Sequence, residues 1–191
     1  MAWRGGGAKC CSNLLCCKGK CVNPTNDESN CGKCGAVCAS GKSCCSGGCV
    51  DLENNQGNCG ACGRACVSGL VCCSEVCVDL GQDVDNCGAC GIDCAEGDTC
   101  CGGVCANLGA DPDNCGVCGL HCSNTTTCCA GACVSILNDE SNCGSCGAVC
   151  SGNLTCCNGT CVNLATSETN CGACGIVCGG GKQCLSSVCT A

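Results

Sequence analysis

Aromatic side chains are almost absent from this 191-residue chain, in which Trp3 is the single Phe, Tyr or Trp residue. Because large aromatic side chains usually fill the interior of a globular domain, their absence argues against an ordinary hydrophobic core. No segment is long and apolar enough to cross a membrane. Residues 1–9 contain no apolar run typical of a secretory signal, so we expect any such signal to have been removed.

Positive charge is scarce as well, with 8 Lys and Arg against 16 Asp and Glu and a net charge of −8. Residues 1–64 hold seven basic groups against four acidic ones, whereas residues 65–191 hold only Lys182 against twelve acidic groups. So acidic a chain is a poor partner for nucleic acid. The contrast allows electrostatic head-to-tail association of copies, although drift among exposed positions would leave the same pattern.

Cysteine and glycine are abundant, at 40 and 32 residues, which marks a chain held together by disulfides or metals. The motif Asn-Cys-Gly-x-Cys-Gly begins at Asn30 and returns every 28 residues, with its first cysteine at Cys31, Cys59, Cys87, Cys115, Cys143 and Cys171. A fixed period of this kind indicates a tandem array in which each unit packs mainly on its neighbours.

Each full repeat has six cysteines, and we predict that all of them form structural disulfides. In the first repeat they are Cys31, Cys34, Cys38, Cys44, Cys45 and Cys49, with equivalents at steps of 28. The array comprises an N-terminal tail (1–9), a truncated first repeat (10–30) and six tandem repeats (31–191), the last one incomplete. The sequence does not choose among the pairings, which can lie within a repeat or join neighbours.

The local pattern predicts a small disulfide-rich fold: an elongated solenoid-like rod with short β-hairpins and single helical turns. The strands include the cysteine doublet and segments such as Cys49-Val50-Asp51-Leu52, while tight turns are expected at Ser46-Gly47-Gly48 and its equivalents. Asp27-Glu28-Ser29-Asn30 is typical of a capped helical turn. Gly32 and Gly35 fit positive φ or a close approach of another segment.

Metal, redox and catalytic chemistry fit these residues less well than structural disulfides. Repeated Cys-x-x-Cys pairs could bind zinc through thiolates, but six ligands per repeat do not divide into fours. A redox centre would need one activated thiol, and six equivalent copies argue against it. Asp51 or Asp79 with Asp83 and Asp85 could hold calcium, yet turn capping explains them better. No metal or cofactor is predicted. His121 next to Cys122 gives no adequate case for an enzyme, and we expect His121 at the surface.

Two ends of the array are irregular. Cys11 has no counterpart in any other repeat, and Leu185 replaces the second cysteine of the last doublet, which makes Cys11 and Cys184 candidates for irregular or intermolecular bonding. Cys11 could equally supply a missing partner within the truncated repeat. Three sequons predict N-glycosylation at Asn124, Asn153 and Asn158.

The run from Cys143-Gly144-Ser145-Cys146-Gly147 to Cys156-Cys157-Asn158-Gly159-Thr160-Cys161-Val162 resembles the Stig1 (stigma-specific protein) type of cysteine-rich repeat. The resemblance covers nearly the whole chain from Cys10 onward. It implies a secreted, disulfide-bonded, non-enzymatic protein, since plant members look like extracellular signalling or exudate proteins. This chain has more regular tandem copies than such members usually carry, which favours a structural role over a peptide-hormone role.

We therefore expect an extracellular structural or surface repeat protein, with head-to-tail assembly into a filament or coat as one form that this role could take. One alternative is a secreted binding or signalling module that displays loops such as residues 81–85 and 165–169 to a receptor or glycan. A metal-thiolate protein is the other alternative.

Overall fold

The computed structural model describes Cys10 and residues 13–191. The chain divides into two compact units, Met1–Asp93 and Cys94–Ala191. The first contains the strands β1 (Leu15–Cys17), β2 (Lys20–Val22), β3 (Lys42–Cys45), β4 (Gly48–Asp51), β5 (Val71–Cys73) and β6 (Val76–Val78). The second contains β7 (Thr99–Cys101), β8 (Val104–Ala106), β9 (Thr127–Cys129), β10 (Ala132–Val134), β11 (Thr155–Cys157), β12 (Thr160–Val162), β13 (Gln183–Leu185) and β14 (Val188–Thr190).

Successive strands pair as two-stranded antiparallel hairpins, and each hairpin contains the cysteine doublet or its remnant. In β3–β4, Cys44 lies opposite Cys49 and Cys45 lies opposite Gly48. Two residues connect the strands, and both have positive φ, as Ser46 (52°) and Gly47 (84°) show. This is the type I′ geometry, whose twist matches that of the paired strands. The turn fixes the register and therefore the position of every cysteine in the hairpin.

Cystine takes the place of a conventional core. Among the described residues, the buried hydrophobic side chains are cysteines, apart from Val78 and Ala106. Cys59 and Cys115 are the most deeply buried, at 0% and 1% exposure. No polar or charged side chain is buried in the described part of the chain. The apolar residues Val50 and Leu52 are half-buried, so they only supplement the burial of sulfur.

The segment between hairpins is a series of hydrogen-bonded turns. Asp27 N–H donates to the Asn23 carbonyl (3.0 Å), and Asn30 N–H donates to the Asp27 carbonyl (3.0 Å). The first of these closes a single helix-like turn that does not continue, and no helix is assigned among the described residues. Gly32 N–H then donates to the Pro24 carbonyl (2.8 Å), which folds the motif back onto this turn.

The predicted fold class is confirmed as a small disulfide-rich array of repeats with short β-hairpins. Two details differ from expectation. Leu52 lies beyond the end of β4, because the chain turns at Asp51, whose side chain accepts a hydrogen bond from the Glu53 N–H. Gly48 belongs to β4, since the turn needs only Ser46 and Gly47.

Candidate functional site

Two kinds of disulfide join cysteines of the same repeat. The first joins the motif cysteine to the first cysteine of the doublet, as in Cys31–Cys44, 13 residues apart. Others of this kind are Cys59–Cys72, Cys115–Cys128, Cys143–Cys156 and Cys171–Cys184. The second, 11 residues apart, is represented by Cys38–Cys49. Its other examples are Cys10–Cys21, Cys66–Cys77, Cys94–Cys105, Cys122–Cys133, Cys150–Cys161 and Cys178–Cys189.

A third disulfide joins one repeat to the next. Cys45, the second cysteine of the doublet, bonds to Cys62 of the following repeat, 17 residues ahead. The same bond recurs as Cys17–Cys34, Cys73–Cys90, Cys101–Cys118, Cys129–Cys146 and Cys157–Cys174. Adjacent repeats are therefore linked by a covalent bridge in addition to the backbone.

The doublet divides its bonds in this way because its two cysteines are consecutive residues of one strand. Side chains alternate between the two faces of a strand, so Cys44 and Cys45 point in opposite directions. Cys44 reaches Cys31 in its own repeat, and Cys45 reaches Cys62 in the next. Both possibilities left open by the sequence, bonds within a repeat and bonds between repeats, occur in the structure.

The interpretation of Cys184 as an irregular thiol is wrong. Cys184 bonds to Cys171, because it occupies the doublet position that pairs inside the repeat. Leu185 occupies the second doublet position, which in the other repeats bonds forward, as in Cys157–Cys174. The free cysteine among the described residues is Cys16, which is exposed. Its partner would lie 13 residues earlier, where the sequence has Trp3. Cys11 lies outside the described residues.

The two glycines of the motif have different roles. Both have positive φ, 78° at Gly32 and 75° at Gly35. A Cβ on Gly32 would lie 2.5 Å from the Gly47 carbonyl oxygen, so the turn of β3–β4 packs directly on the motif. A Cβ on Gly35 would meet nothing within 4 Å. The first glycine is therefore required by a close approach of backbone, and the second only by its conformation.

The asparagine of the motif joins the turn before it to the turn after it. Asn142 Oδ1 accepts from the Gly147 N–H (2.9 Å), and Asn142 Nδ2 donates to Asp139 Oδ2 (3.0 Å). Asp139 Oδ1 accepts from the Ser141 N–H (2.8 Å). The Ser141 N–H and then Asn142 hold the pKa of Asp139 below its usual value.

The same capping explains the other acids that resembled a calcium site. Asp51 Oδ1 accepts from the Glu53 N–H and Oδ2 accepts from Asn54 Nδ2 (3.1 Å), and these bonds, that of Asn54 first, lower the pKa of Asp51. Asp79 accepts from the Gly81 N–H, and Asp83 accepts from the Asp85 N–H. Turn capping is confirmed for Asp51, Asp79 and Asp83.

The cysteines that could bind a metal ion, and the cysteine next to His121, are all in disulfide bonds. Cys31, Cys38 and Cys44 have sulfurs close enough together to hold a metal ion, but all three are in disulfides, and a disulfide sulfur is not a thiolate ligand. Cys122, beside His121, is bonded to Cys133. His121 itself is at the surface as expected, with Nδ1 3.2 Å from Asp113 Oδ1.

The three sequon asparagines, Asn124, Asn153 and Asn158, are exposed. Asn158 occupies the first position of the β11–β12 turn, with φ 48°. The loops at residues 81–85 and 165–169 are turns of partly to fully exposed residues. No helix able to span a membrane is found in the described part of the chain.

The repeat-bridging doublet and the motif with its asparagine and two glycines recur throughout the chain. A search of curated proteins and a search of solved structures each returned no match. The model of the stigma-specific STIG1-like protein family (Stig1) matches residues 6–72, 68–134 and 123–191. These three matches together cover most of the chain and confirm the resemblance seen in its cysteine pattern, so the chain belongs to the stigma-specific STIG1-like protein family.

Proposed function

We propose that this protein is an extracellular structural protein whose disulfide-stapled repeats assemble with copies of the same chain into a filament or surface coat. The observation that carries this proposal is the bridge from each doublet to the next repeat, as in Cys129–Cys146. Each such bridge contributes about 3 kcal/mol by restricting the unfolded chain. Disulfides of this density persist in oxidising, extracellular environments. The proposal includes three further points: the repeat cysteines are oxidised, the repeats form a single continuous array, and the three sequons are glycosylated.

Exposed aliphatic residues at recurring positions support self-association. Ile176 and Val177 are 51% and 65% exposed, and Val149, equivalent to Val177, is 65% exposed. Leu120, equivalent to Ile176, is 45% exposed. Apolar side chains that return at the same place in several repeats offer a second copy a periodic contact surface. Residues 1–64 carry more basic than acidic groups, whereas residues 65–191 are strongly acidic. The basic part of one copy therefore attracts the acidic part of another, and salt would screen this attraction.

A catalytic role has little support. Catalytic acids, bases and nucleophiles usually sit in clefts that shift their pKa values. No polar or charged side chain is buried in the described residues, and the clearest pKa shifts belong to exposed capping acids such as Asp111. We therefore propose a non-enzymatic protein.

The proposal is tested by sedimentation velocity of the oxidised full chain over a range of concentration and salt, with electron microscopy of the heavy fractions. We expect larger species that grow with concentration and shrink in high salt. The variant Ile176→Ser/Val177→Ser should weaken the association. Val188→Ser, which removes an exposed aliphatic side chain (59%) from the β13–β14 hairpin, is the control and should leave it unchanged.

A monomer at every concentration would overturn the assembly proposal. If that monomer also captured a component from an extracellular fraction, the secreted binding or signalling role would replace it. Bound zinc or copper together with free thiols at the repeat cysteines would favour the metal-thiolate role instead.

A further inference from the structure

A groove lies where the first described hairpin meets the repeat that begins at Cys31. It has a volume of about 470 Å³, within the range of about 300–1,000 Å³ usual for small-ligand sites. We call it the lysine groove. The residues that line it include Cys17, Lys18, Lys20, Ser29, Asn30 and Cys34.

The groove is held in place by the covalent structure. Cys17 and Cys34 form the bridge between the truncated repeat and the one after it. Cys17 lies opposite Lys20 in the register of β1–β2, and Lys18 occupies the first turn position with φ 49°. Both lysines are therefore anchored next to a disulfide, and little backbone ordering would remain to be done on binding.

The two lysines are available to a ligand. The one ion pair within the described residues joins His121 to Asp113, so neither lysine is paired with a carboxylate there. Both side chains are exposed, and the groove lining contains no acidic residue. An ammonium group is a strong donor to carboxylate, sulfate or phosphate oxygens.

The equivalent groove in the second unit has the same place in its repeat but no charge. It has a volume of about 480 Å³ and is lined by residues that include Asn158, Thr160, Thr169 and Asn170. Asn158 stands where the lysine groove has Lys18, and Thr160 stands where it has Lys20. The basic character is therefore specific to the first hairpin and is not a consequence of the repeat fold.

We propose that the lysine groove binds an acidic oligosaccharide, with Lys18 and Lys20 contacting its anionic groups and Ser29 offering a hydroxyl to the sugar. A narrow anionic chain suits this site better than a membrane surface. The protein carries a net charge of −8, and a broad anionic surface would meet the acidic groups that surround the groove in sequence, Asp27 and Glu28 among them. The proposal does not depend on self-association.

Binding is tested with the oxidised full chain by calorimetry and by amide chemical shifts. The probes are a sulfated heparin tetrasaccharide, a tetramer of galacturonic acid and, as a neutral control, maltotetraose. The two acidic probes distinguish sulfate from carboxylate recognition. We expect saturable, salt-sensitive binding of at least one acidic probe, no binding of maltotetraose, and shifts confined to residues 17–22 and 29–35.

Lys18→Asn/Lys20→Thr gives the lysine groove the residues of its uncharged equivalent, which the fold already accepts. This variant should weaken binding by about tenfold or more, because both charge-assisted contacts are lost. Lys42→Asn/Lys182→Asn makes the same change in net charge outside the groove and should keep the affinity within about twofold. Asn158→Lys/Thr160→Lys should create a second site and raise the stoichiometry from one to two.

Three results would overturn the proposal. The first is an equal loss of affinity in the groove variant and in the Lys42/Lys182 control, which would mean non-specific charge attraction. The second is chemical shifts outside the groove, or no saturable binding of either acidic probe. The third is binding to vesicles of phosphatidylserine and phosphatidylcholine without binding to the oligosaccharides, which would assign the lysines to a membrane surface.

Discussion

Replacing Gly144 with alanine should lower the free energy of local opening of its repeat far more than the same change at Gly147, three residues later. Both glycines have positive φ, 82° and 72°. A Cβ on Gly144 would lie 2.6 Å from the Gly159 carbonyl oxygen, whereas a Cβ on Gly147 meets nothing within 4 Å. The two substitutions therefore share a conformational cost, and only the first adds a collision with backbone.

The conformational cost of alanine at positive φ is about 1 kcal/mol. The collision at Gly144 must be relieved by moving the β11–β12 turn, and overpacking of this kind costs about 1–3 kcal/mol. We expect Gly147→Ala to lower the local opening free energy by about 1 kcal/mol and Gly144→Ala to lower it by about 2–4 kcal/mol. Since about 1.4 kcal/mol corresponds to a factor of ten, the expected losses of exchange protection are roughly fivefold and roughly 30- to 1,000-fold.

Native-state hydrogen exchange measures this difference directly. The reporting amide is that of Gly159, which donates to the Leu137 carbonyl (3.1 Å) and lies in the turn that must move. The disulfides stay oxidised, so the measurement concerns opening of one repeat and not unfolding of the whole chain. Equal losses of protection in the two variants would refute the close-packing role of the first motif glycine.

Three further outcomes are expected. Replacing Cys45 and Cys62 together with alanine removes one repeat bridge and should lower the free energy of unfolding in guanidinium by about 3 kcal/mol; an unchanged midpoint would contradict this. Asn142→Ala should raise the depressed pKa of Asp139 towards its ordinary value of 3.8 in a carboxyl NMR titration. The depressed pKa of Asp139 stabilises the fold above 3.8, and this stabilisation is lost as the pH falls through the folded pKa. The variant should therefore lose less stability in this acid range, while the part due to the Ser141 N–H, the larger cause of the shift, should remain. Iodoacetamide without reductant should label Cys16, whereas a disulfide-linked peptide containing Cys16 would disprove its free state.

The hairpins could be predicted from sequence because their signals are local. A pair such as Asn158-Gly159 between short β-prone segments favours a type I′ turn, and the structure has both residues at positive φ. The signal is weaker at Ser74-Glu75, where Glu75 takes φ 71° without being glycine. There the repeat pattern and the surrounding disulfides impose the turn on residues that do not favour it.

The disulfide pairing could not be chosen from cysteine spacing. Cys44 lies opposite Cys49 in the hairpin and next to Cys45 in the chain, yet it bonds to neither of them. What decides the pairing is the alternation of side chains along β3, which sends Cys44 and Cys45 to opposite faces. A doublet inside a predicted strand was the available signal. The wrong interpretation of Cys184 has the same origin. It assumed that when one cysteine of a doublet is replaced, the other cysteine loses its partner.

The forward bond of the doublet also bears on how such a gene can change length. One 28-residue period brings six cysteines: two pairs that close within it, one that reaches ahead and one that receives the bond from behind. Duplication or deletion of a whole period by recombination therefore leaves no interior thiol without a partner. In the first and last copies of this sequence, Cys16 lacks its partner within the repeat, at whose position Trp3 stands, and Leu185 replaces the cysteine that bonds forward. Copy number is thus free to drift without a penalty in oxidative folding.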